Sequence, residues 1–146
     1  MSDTDTHRHF MLRALALSRK ALPACCPNPP VACVLVKNGE IVSEGYTQAI
    51  GGNHAEVEAL NAFPGDKSEV VAYVTLEPCS FVGRTGACAQ ALIDSGIRKV
   101  FVAMIDPDPR NNGKGLAMLE AAGVCVELAC CEQEVSEFLG AYLGMS

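Results

Sequence analysis

The last two apolar runs of the chain constrain its fold most strongly. The runs at 99–104 (KVFVAM) and 124–128 (VCVEL) each have the length of a strand, and a helical pattern over about 115–122 separates them. Strands that are joined through a helix need a crossover connection, and a crossover makes them parallel. The sequence therefore predicts an α/β protein in which strands four and five are parallel.

The first two strands are predicted to form a hairpin. The runs VACVLVK (31–37) and IVSEGY (41–46) flank Asn38-Gly39, the dipeptide that most favours a two-residue turn between antiparallel strands. The continuous apolar run VVAYVTL (70–76) suits a central third strand. Together these strands predict a five-stranded mixed sheet in a three-layer α-β-α sandwich, with helices on both faces.

Helical patterns fill the remaining segments and give the order α-β-β-α-β-α-β-α-β-α. We expect helices over 8–22, 54–62, about 86–95, about 115–122 and 132–143. A chain of 146 residues that is 49% hydrophobic can bury a sizeable core. We therefore expect residues 1–146 to form a single domain.

Charge and hydropathy disfavour several classes of partner. Eleven basic and seventeen acidic residues give a net charge of -6, and no basic block could follow a phosphate backbone. The apolar run FMLRALAL (10–17) is interrupted by Arg13, which indicates an amphipathic helix rather than a signal peptide or a membrane span. We expect a cytoplasmic protein that binds neither nucleic acid nor membranes.

The chain contains eight cysteines, at positions 25, 26, 33, 79, 88, 125, 130 and 131. In a reducing compartment these are expected to be thiols or metal ligands rather than disulfides. The two adjacent pairs are poor candidates for one metal because neighbouring side chains diverge, and Cys33 lies in an apolar run typical of the core. His7 and His9 are expected to lie in a solvated terminus.

Three residues with nitrogen or sulfur donors fall at the ends of predicted elements. His54 begins a helix, Cys79 follows the third strand, and Cys88 opens the next helix. Zinc prefers imidazole and thiolate ligands, and three protein ligands leave the fourth position open, as catalytic zinc requires. The pattern H-x-E followed by P-C-x-x-C is typical of zinc deaminases, in which the glutamate, here Glu56, shuttles protons. This chain matches H-x-E and P-C, but eight residues instead of two separate Cys79 from Cys88.

The spacing of His54 and Glu56 allows two interpretations. Residues two apart point to nearly opposite sides of a helix, so a shared site would have to lie beyond the helix end, where side chains of the first turn can converge. Alternatively, Asn53 caps the helix and Glu56 completes a capping box. The two interpretations are compatible if Asn53 starts the helix while Glu56 carries out chemistry.

From about residue 10 to 142 the chain resembles the cytidine-deaminase-like superfamily, most closely the deaminase domain of bifunctional riboflavin-biosynthesis deaminase/reductases. The segments that carry the resemblance are PNPPVACVLVKNGEIVSEG (27–45), HAEVEAL (54–60), YVTLEPCS (73–80), GRT (83–85) and DPDP (106–109). Because the chain stops at Ser146 without a reductase half, we expect a stand-alone deaminase domain.

The resemblance implies a role for individual residues. One zinc ion per chain would bind His54, Cys79 and Cys88, and Glu56 would shuttle protons. The substrate would contact Asn28 and Ala55, with Arg84 and Thr85 at its phosphate end. Family resemblance also implies a homo-oligomer, either a dimer or a tetramer.

Four positions depart from the family pattern near the substrate. Thr47 and Phe81 stand where the family usually has histidine, and Gly86 and Ala87 replace paired prolines. Thr47 and Phe81 are therefore candidate substrate contacts. The expected substrate is the diaminopyrimidine nucleotide of the riboflavin pathway. Alternatives are an unphosphorylated base or nucleoside of the cytosine, isocytosine or guanine type and, less expected, a nucleic acid or a non-catalytic zinc module.

Overall fold

The computed structural model describes residues 3–49, 52–80 and 87–143. Its five strands are β1 (Ala32–Lys37), β2 (Glu40–Tyr46), β3 (Val70–Val74), β4 (Lys99–Val102) and β5 (Cys125–Leu128). They form one sheet in the order β2-β1-β3-β4-β5. The predicted number of strands and their positions along the chain are confirmed.

Five helices accompany the strands: α1 (Asp3–Ser18), α2 (Ala55–Ala62), α3 (Cys88–Ser95), α4 (Lys114–Ala121) and α5 (Glu132–Leu139). Short 3-10 turns over Arg19–Ala21 and Gly140–Tyr142 follow α1 and α5. The first helix begins five residues before the predicted start at residue 8, because residues on its amino-terminal turns also pack against the sheet. All the other predicted helices are confirmed with small shifts at their ends.

The hairpin between β1 and β2 turns at Asn38 and Gly39, as predicted. Both residues have positive φ angles, of 53° and 78°, and Lys37 pairs directly with Glu40. Two consecutive positive φ angles are the requirement of the two-residue turn whose twist matches antiparallel strands, and asparagine and glycine tolerate them best. The local sequence thus sets the pairing next to the turn, and an irregularity between Leu35 and Val36 shifts the register further along the hairpin.

The sheet is mixed. β1 is antiparallel to both β2 and β3, whereas β3, β4 and β5 are parallel to one another. The predicted parallel pairing of the fourth and fifth strands is confirmed. Because β1 runs against its neighbours, its start at Ala32 lies beside the end of β2 at Tyr46 and the end of β3 at Val74. We call this side of the sheet, at which β4 also ends, the site edge.

Helices cover both faces, which confirms the three-layer sandwich. α1 packs on β1 and β3, and α5 lies beside α1, where Arg8 and Glu134 form an ion pair of 2.6 Å. On the other face α2 packs on β1 and β2 and contacts α3, which in turn contacts α4. Among the described residues, no helix combines the length and apolar character needed to cross a membrane.

His7 does not lie in a solvated terminus, so that prediction is wrong. Its Nδ1 atom lies 2.6 Å from the hydroxyl of Tyr73, and its ring stacks on Phe101 with 4.1 Å between centroids. The reason is that α1 extends to Asp3 and presents His7 on the same face as Phe10, three residues later. His9 points away and is exposed, as expected.

The backbones of β2 and α2 approach each other closely at Gly45. A Cβ atom built on Gly45 would clash with the carbonyl oxygen of Ala55 and lie 2.5 Å from the amide nitrogen of Ala59. Only a residue without a side chain lets α2 lie this close to the strand. This contact fixes the first turn of α2, which carries the site residues described next.

Candidate metal centre and substrate cleft

Three donor atoms meet at the site edge. His54 immediately precedes α2, Cys79 lies in the loop after β3, and Cys88 is the first residue of α3. His54 Nδ1 lies 2.9 Å from the sulfur of Cys88 and 3.8 Å from the sulfur of Cys79, and all three donor atoms lie within 4.8 Å of one another. In the described ranges this is the one group of three or more His, Cys, Asp or Glu residues able to hold a metal ion.

The donor set fits zinc. With zinc–nitrogen and zinc–sulfur bonds of ordinary length and tetrahedral angles, nitrogen and sulfur ligands lie about 3.6 Å apart. The two nitrogen–sulfur distances here, 2.9 and 3.8 Å, fall on either side of that value. One imidazole and two thiols are also the ligand types that zinc prefers, and three of them leave a fourth position open.

The amino terminus of α3 holds Cys79. The backbone N–H of Cys88 donates to the Cys79 sulfur at 3.2 Å, and the N–H of Ala89 donates to the Cys79 carbonyl oxygen at 3.0 Å. A hydrogen bond from the Cys88 side chain, with further help from His54, lowers the pKa of Cys79 to about 4 despite burial. Thiolate is the form that binds metal, so Cys79 is prepared for that role.

The pKa of Cys88 shifts in the opposite direction because the two sulfurs share a proton. Its hydrogen bond to Cys79 and its burial both raise the pKa of Cys88. The separate hydrogen bond between His54 and Cys79 raises the pKa of the His54 imidazole. Ligation by the Cys88 sulfur and the His54 nitrogen therefore requires that these groups lose protons, which makes metal binding at this site dependent on pH.

The cap of α2 is His54, not Asn53. His54 has extended backbone angles (φ -72°, ψ 165°), α2 begins at Ala55, and no side chain makes a cap hydrogen bond. The predicted capping box is therefore wrong, because the helix starts one residue later and places Glu56 at its second position instead of its third. Since His54 lies outside the helix, the opposite helical faces of positions 54 and 56 do not separate the two side chains.

Glu56 is a buried acid at the wall of an open cleft. It is 4% exposed, and burial raises the pKa of its carboxyl group to about 7. A carboxyl group with a pKa near neutrality can both accept and return a proton, which is the property required of a general acid–base group. The structure thus places the Glu56 carboxyl group in the cleft wall together with His54.

The cleft has a volume of about 740 Å³ and contains most of the predicted site residues. Asn28, Thr47, Ala55 and Glu56 line it together with His54 and Cys79. Asp106 and Arg110, from the loop after β4, line it as well. The predicted substrate contacts Phe81, Arg84 and Thr85 lie outside the described residues, as does Gly86. Ala87 immediately precedes α3 and serves as its cap.

The Thr47 hydroxyl has backbone partners. It accepts a hydrogen bond from the N–H of Val31 at 3.0 Å and donates to the carbonyl oxygen of Pro29 at 3.2 Å. Thr47 is 7% exposed. Its hydroxyl therefore holds the segment between Asn28 and β1 against the end of β2, and thereby shapes one wall of the cleft.

Sequence reasoning missed the role of Glu77, the acid two residues before Cys79. Glu77 is 3% exposed, and its carboxylate accepts hydrogen bonds from the N–H groups of Asp106, Gly113 and Leu116 at 2.9 to 3.1 Å. Gly113 is the cap of α4, which has no acidic residue in its first turn and no side-chain cap of its own. A helix start without a capping residue was the available signal that another segment supplies the acceptor.

Sequence reasoning also missed Asn111, which lies in the loop before α4. Asn111 is fully buried (0% exposed), and its amide contacts the backbone on both sides of Cys79. Nothing in the sequence DPDPRNNGKG distinguishes Asn111 from its neighbour Asn112, which is exposed. Only the packing of α4 against the loop after β3 separates the two.

The mixed sheet and the His/Cys/Cys donor set at its edge, beside a buried glutamate, define a cytidine-deaminase-like α/β protein. Residues 4–104 match the family described as the cytidine and deoxycytidylate deaminase zinc-binding region. The chain belongs to this family.

Individual relatives agree with this assignment. The riboflavin biosynthesis protein RibD of Actinobacillus pleuropneumoniae is 48% identical over 131 residues, which cover 90% of this chain and 35% of that protein. The diaminohydroxyphosphoribosylamino-pyrimidine deaminase of Buchnera aphidicola (subsp. Schizaphis graminum) is 41% identical over 132 residues, covering 90% of this chain and 89% of that one. The chain thus spans about a third of the first relative and most of the second.

Among solved structures, RibD of Acinetobacter baumannii superimposes with a TM-score of 0.93 and 39% sequence identity. The match covers 98% of this chain and 40% of that one. The predicted fold class and the predicted family are both confirmed.

Proposed function

We propose that the protein is a zinc-dependent hydrolytic deaminase that releases ammonia from the diaminopyrimidine nucleotide of the riboflavin pathway. The observation that carries this proposal is the buried Glu56 carboxyl group, which lines an open cleft beside His54 and Cys79. The names of the Actinobacillus and Buchnera relatives support the pathway and the substrate class. The Buchnera relative gives the stronger support for the substrate class because the match covers 89% of its length.

His54, Cys79 and Cys88 would hold the metal ion, one per chain. Their donor types and separations support zinc over harder cations, which prefer oxygen ligands. When bound, zinc would supply the Lewis acidity that lowers the pKa of water toward about 7 and so provides a nucleophile at neutral pH.

Glu56 would move the protons of the reaction. Its carboxylate accepts a proton from the attacking water as the water oxygen bonds to the ring carbon that bears the amine. Glu56 then passes this proton to the adjacent ring nitrogen. It next carries the remaining hydroxyl proton to the amine, so that the carbon–nitrogen bond breaks and the amine leaves as ammonia. Water is consumed, a ring carbonyl forms, and Glu56 returns to its starting state. General acid–base transfer of this kind contributes about a hundred- to ten-thousand-fold in rate.

The remaining cleft residues would bind the substrate. The cleft volume of about 740 Å³ is within the range of about 300 to 1,000 Å³ typical of small-molecule sites. Asn28 and the backbone of Ala55 line the cleft near Glu56 and would orient the ring. We assign Arg84 and Thr85 to the phosphate end of the substrate and Phe81 to its ring, on the strength of the sequence motif alone. Thr47 would act through the wall segment that its hydroxyl holds.

We also infer a cytoplasmic homo-oligomer, either a dimer or a tetramer. All eight cysteines are free thiols in the structure, which supports a reducing compartment. The acidic net charge of -6 supports a small-molecule substrate rather than a nucleic acid. Light scattering of the purified chain would give its oligomeric state.

An ammonia-release assay on the zinc-loaded chain tests the proposal. The riboflavin-pathway diaminopyrimidine nucleotide would be compared with its dephosphorylated form and with cytosine, isocytosine, guanine and their nucleosides. We expect turnover of the nucleotide and little release from the other amines. Preferred release from a free base would overturn the proposed substrate. Bound zinc without ammonia release from any amine would favour a non-catalytic module, and RNA binding that weakens steeply with salt would favour a nucleic-acid deaminase.

A further inference from the structure

We propose that Asn111 is a positioning residue that holds the Cys79 ligand in place. Asn111 is remote in sequence from the metal donors and acts through the backbone of the loop that carries Cys79. This inference rests on the metal centre of the proposed function.

The contacts of Asn111 bracket Cys79. The side-chain oxygen of Asn111 accepts a hydrogen bond from the N–H of Ser80 at 3.1 Å, and its side-chain nitrogen donates to the carbonyl oxygen of Pro78 at 3.2 Å. One amide group therefore binds the residue before Cys79 and the residue after it. These two bonds restrict the backbone on both sides of the ligand and, with it, the direction of the Cys79 side chain.

The environment of Asn111 makes these bonds important. Asn111 and Pro78 are both buried, so the Pro78 carbonyl oxygen would not regain a partner from bulk water if it lost Asn111. The side-chain nitrogen of Asn111 also donates to a carboxylate oxygen of Asp106 at 3.4 Å, and Asp106 lines the cleft. The Asn111 amide thus uses its donors and its acceptor on the loop that carries Cys79 and on Asp106 in the cleft wall.

Asn111 is itself anchored. Its backbone N–H donates to the carbonyl oxygen of Asp108 at 2.9 Å, and the helix that follows is capped by Glu77 from the Cys79 loop. Gly115 lets the helix approach this loop, since a Cβ atom there would clash with the carbonyl oxygen of Pro78. The loop after β3 and the start of α4 therefore form one unit, in which Asn111 is the contact nearest to the ligand.

The chemistry requires an amide at this position. Aspartate has nearly the same shape but, when ionised, has no N–H to donate and would place its charge against the Pro78 carbonyl and the Asp106 carboxylate. Alanine would remove all three bonds. Asn112, the exposed neighbour, offers a matched control in the same loop.

The test measures zinc transfer from the full zinc-loaded chain to a chromogenic chelator. We expect Asn111→Asp and Asn111→Ala to weaken zinc binding about 10- to 100-fold, the usual effect of losing a group that orients a ligand. Asn112→Asp should stay within about twofold of the parent, as surface substitutions usually do. In cobalt-loaded protein, the sulfur-to-cobalt charge-transfer band should weaken or shift in the Asn111 variants only, which a merely structural role would not produce.

A second measurement uses the unaltered protein and so does not depend on whether the variants fold. The Ser80 amide is only half-buried, yet its bond to Asn111 should slow its hydrogen exchange by at least about tenfold in the zinc-loaded chain. Exchange of the Ser80 amide at the intrinsic rate, or folded Asn111 variants with the zinc affinity and cobalt band of the parent, would overturn the inference. A parent chain that binds neither zinc nor cobalt would instead refute the metal centre of the proposed function.

Discussion

The backbone N–H of Cys88 donates a hydrogen bond to the sulfur of Cys79 at 3.2 Å. The helix that supplies one metal donor through its side chain therefore stabilises the other through its backbone. These two contributions of position 88 are chemically separate, because the backbone N–H remains when the side chain is changed. Substitutions at Cys88 can thus remove a ligand without releasing the loop that holds Cys79.

We expect Cys88→Ser to lose bound zinc. The substitution keeps the size of the side chain and the backbone hydrogen bond to Cys79 but removes a thiolate ligand. Zinc affinity should fall by more than the roughly 10- to 100-fold that loss of an outer contact costs. Elemental analysis after dialysis would measure this. The exposed thiol of Cys26 provides the control, since Cys26→Ser should keep its zinc. Full zinc occupancy in Cys88→Ser would remove Cys88 from the ligand set.

Glu56→Gln should keep zinc and lose turnover. The amide has the same shape as the carboxyl group but cannot accept and return the reaction's protons, so the rate of ammonia release should fall about a hundred- to ten-thousand-fold. Single-turnover measurements separate this loss from weaker substrate binding. Glu58→Gln is the matched control, because Glu58 lies two residues further on the same helix and does not line the cleft. A Glu56→Gln enzyme within a few-fold of the parent would exclude Glu56 as the proton carrier.

Gly45→Ala should destabilise the fold at the point where α2 rests on β2. The added Cβ atom would lie 2.5 Å from the amide nitrogen of Ala59 and even closer to the backbone of Ala55, so the helix must move. Overpacking of this kind costs about 1 to 3 kcal/mol, measurable from urea unfolding. Gly39→Asn is the control, because no atom lies within 4 Å of a Cβ there and asparagine tolerates the turn geometry. Equal losses in both variants would contradict the packing argument.

His7→Ala should lower the free energy of unfolding by about 1 to 2 kcal/mol. The substitution removes a hydrogen bond of 2.6 Å to Tyr73 and a stacking contact with Phe101. His9→Ala should change stability by less than about 0.5 kcal/mol, because His9 is exposed. Urea unfolding of the two variants at neutral pH compares them directly. A frayed terminus would make both substitutions equally harmless, and that result would refute the packing of His7.

We expect the buried hydroxyl of Tyr73 to make the folded protein less stable at alkaline pH. Burial raises the pKa of its hydroxyl from 10 to about 12. A group whose pKa is raised by folding stabilises the protein fully below its unfolded pKa and ceases to do so as the pH rises through its folded pKa. Between pH 10 and about 12, Tyr73 should therefore remove about 1.4 kcal/mol of stability per pH unit.

Unfolding curves at several alkaline pH values, in the presence of a reductant, would measure this loss for Tyr73. Tyr73→Phe should flatten the decline, whereas Tyr142→Phe, which alters an exposed ring, should not. An unchanged alkaline decline in Tyr73→Phe would assign the loss to other groups.

Local sequence was sufficient to predict most of the fold. Asn38-Gly39 specified the hairpin, and the helix between the last two strands specified their parallel pairing. The metal donors were predictable for a related reason, since His54, Cys79 and Cys88 each fall at the boundary of an element and are of the types that zinc prefers. The family match confirms a zinc-binding region, while the individual site assignments stay predictions.

Contacts between distant segments were not predictable. The capping box at Asn53 failed because helix propensity places a boundary only to within a residue or two, and here one residue changes which side chain can cap. His7 was assigned to solvent because its partners, Tyr73 and Phe101, lie on strands far along the chain. Asn111 differs from Asn112 only in what packs against it.

Glu77 has a structural role within the same short motif that supplies a metal donor. It stands two residues before Cys79, yet its carboxylate accepts three backbone N–H groups from the loop after β4 and the start of α4. In the segment Glu77-Pro78-Cys79, the glutamate therefore holds the fold together and the cysteine provides a metal donor. A related chain that retained Cys79 but lost the acid would still carry the ligand while lacking the acceptor that joins it to α4. Searches for active relatives of this protein should accordingly weigh the glutamate as a marker of intact architecture and the cysteine as a marker of chemistry.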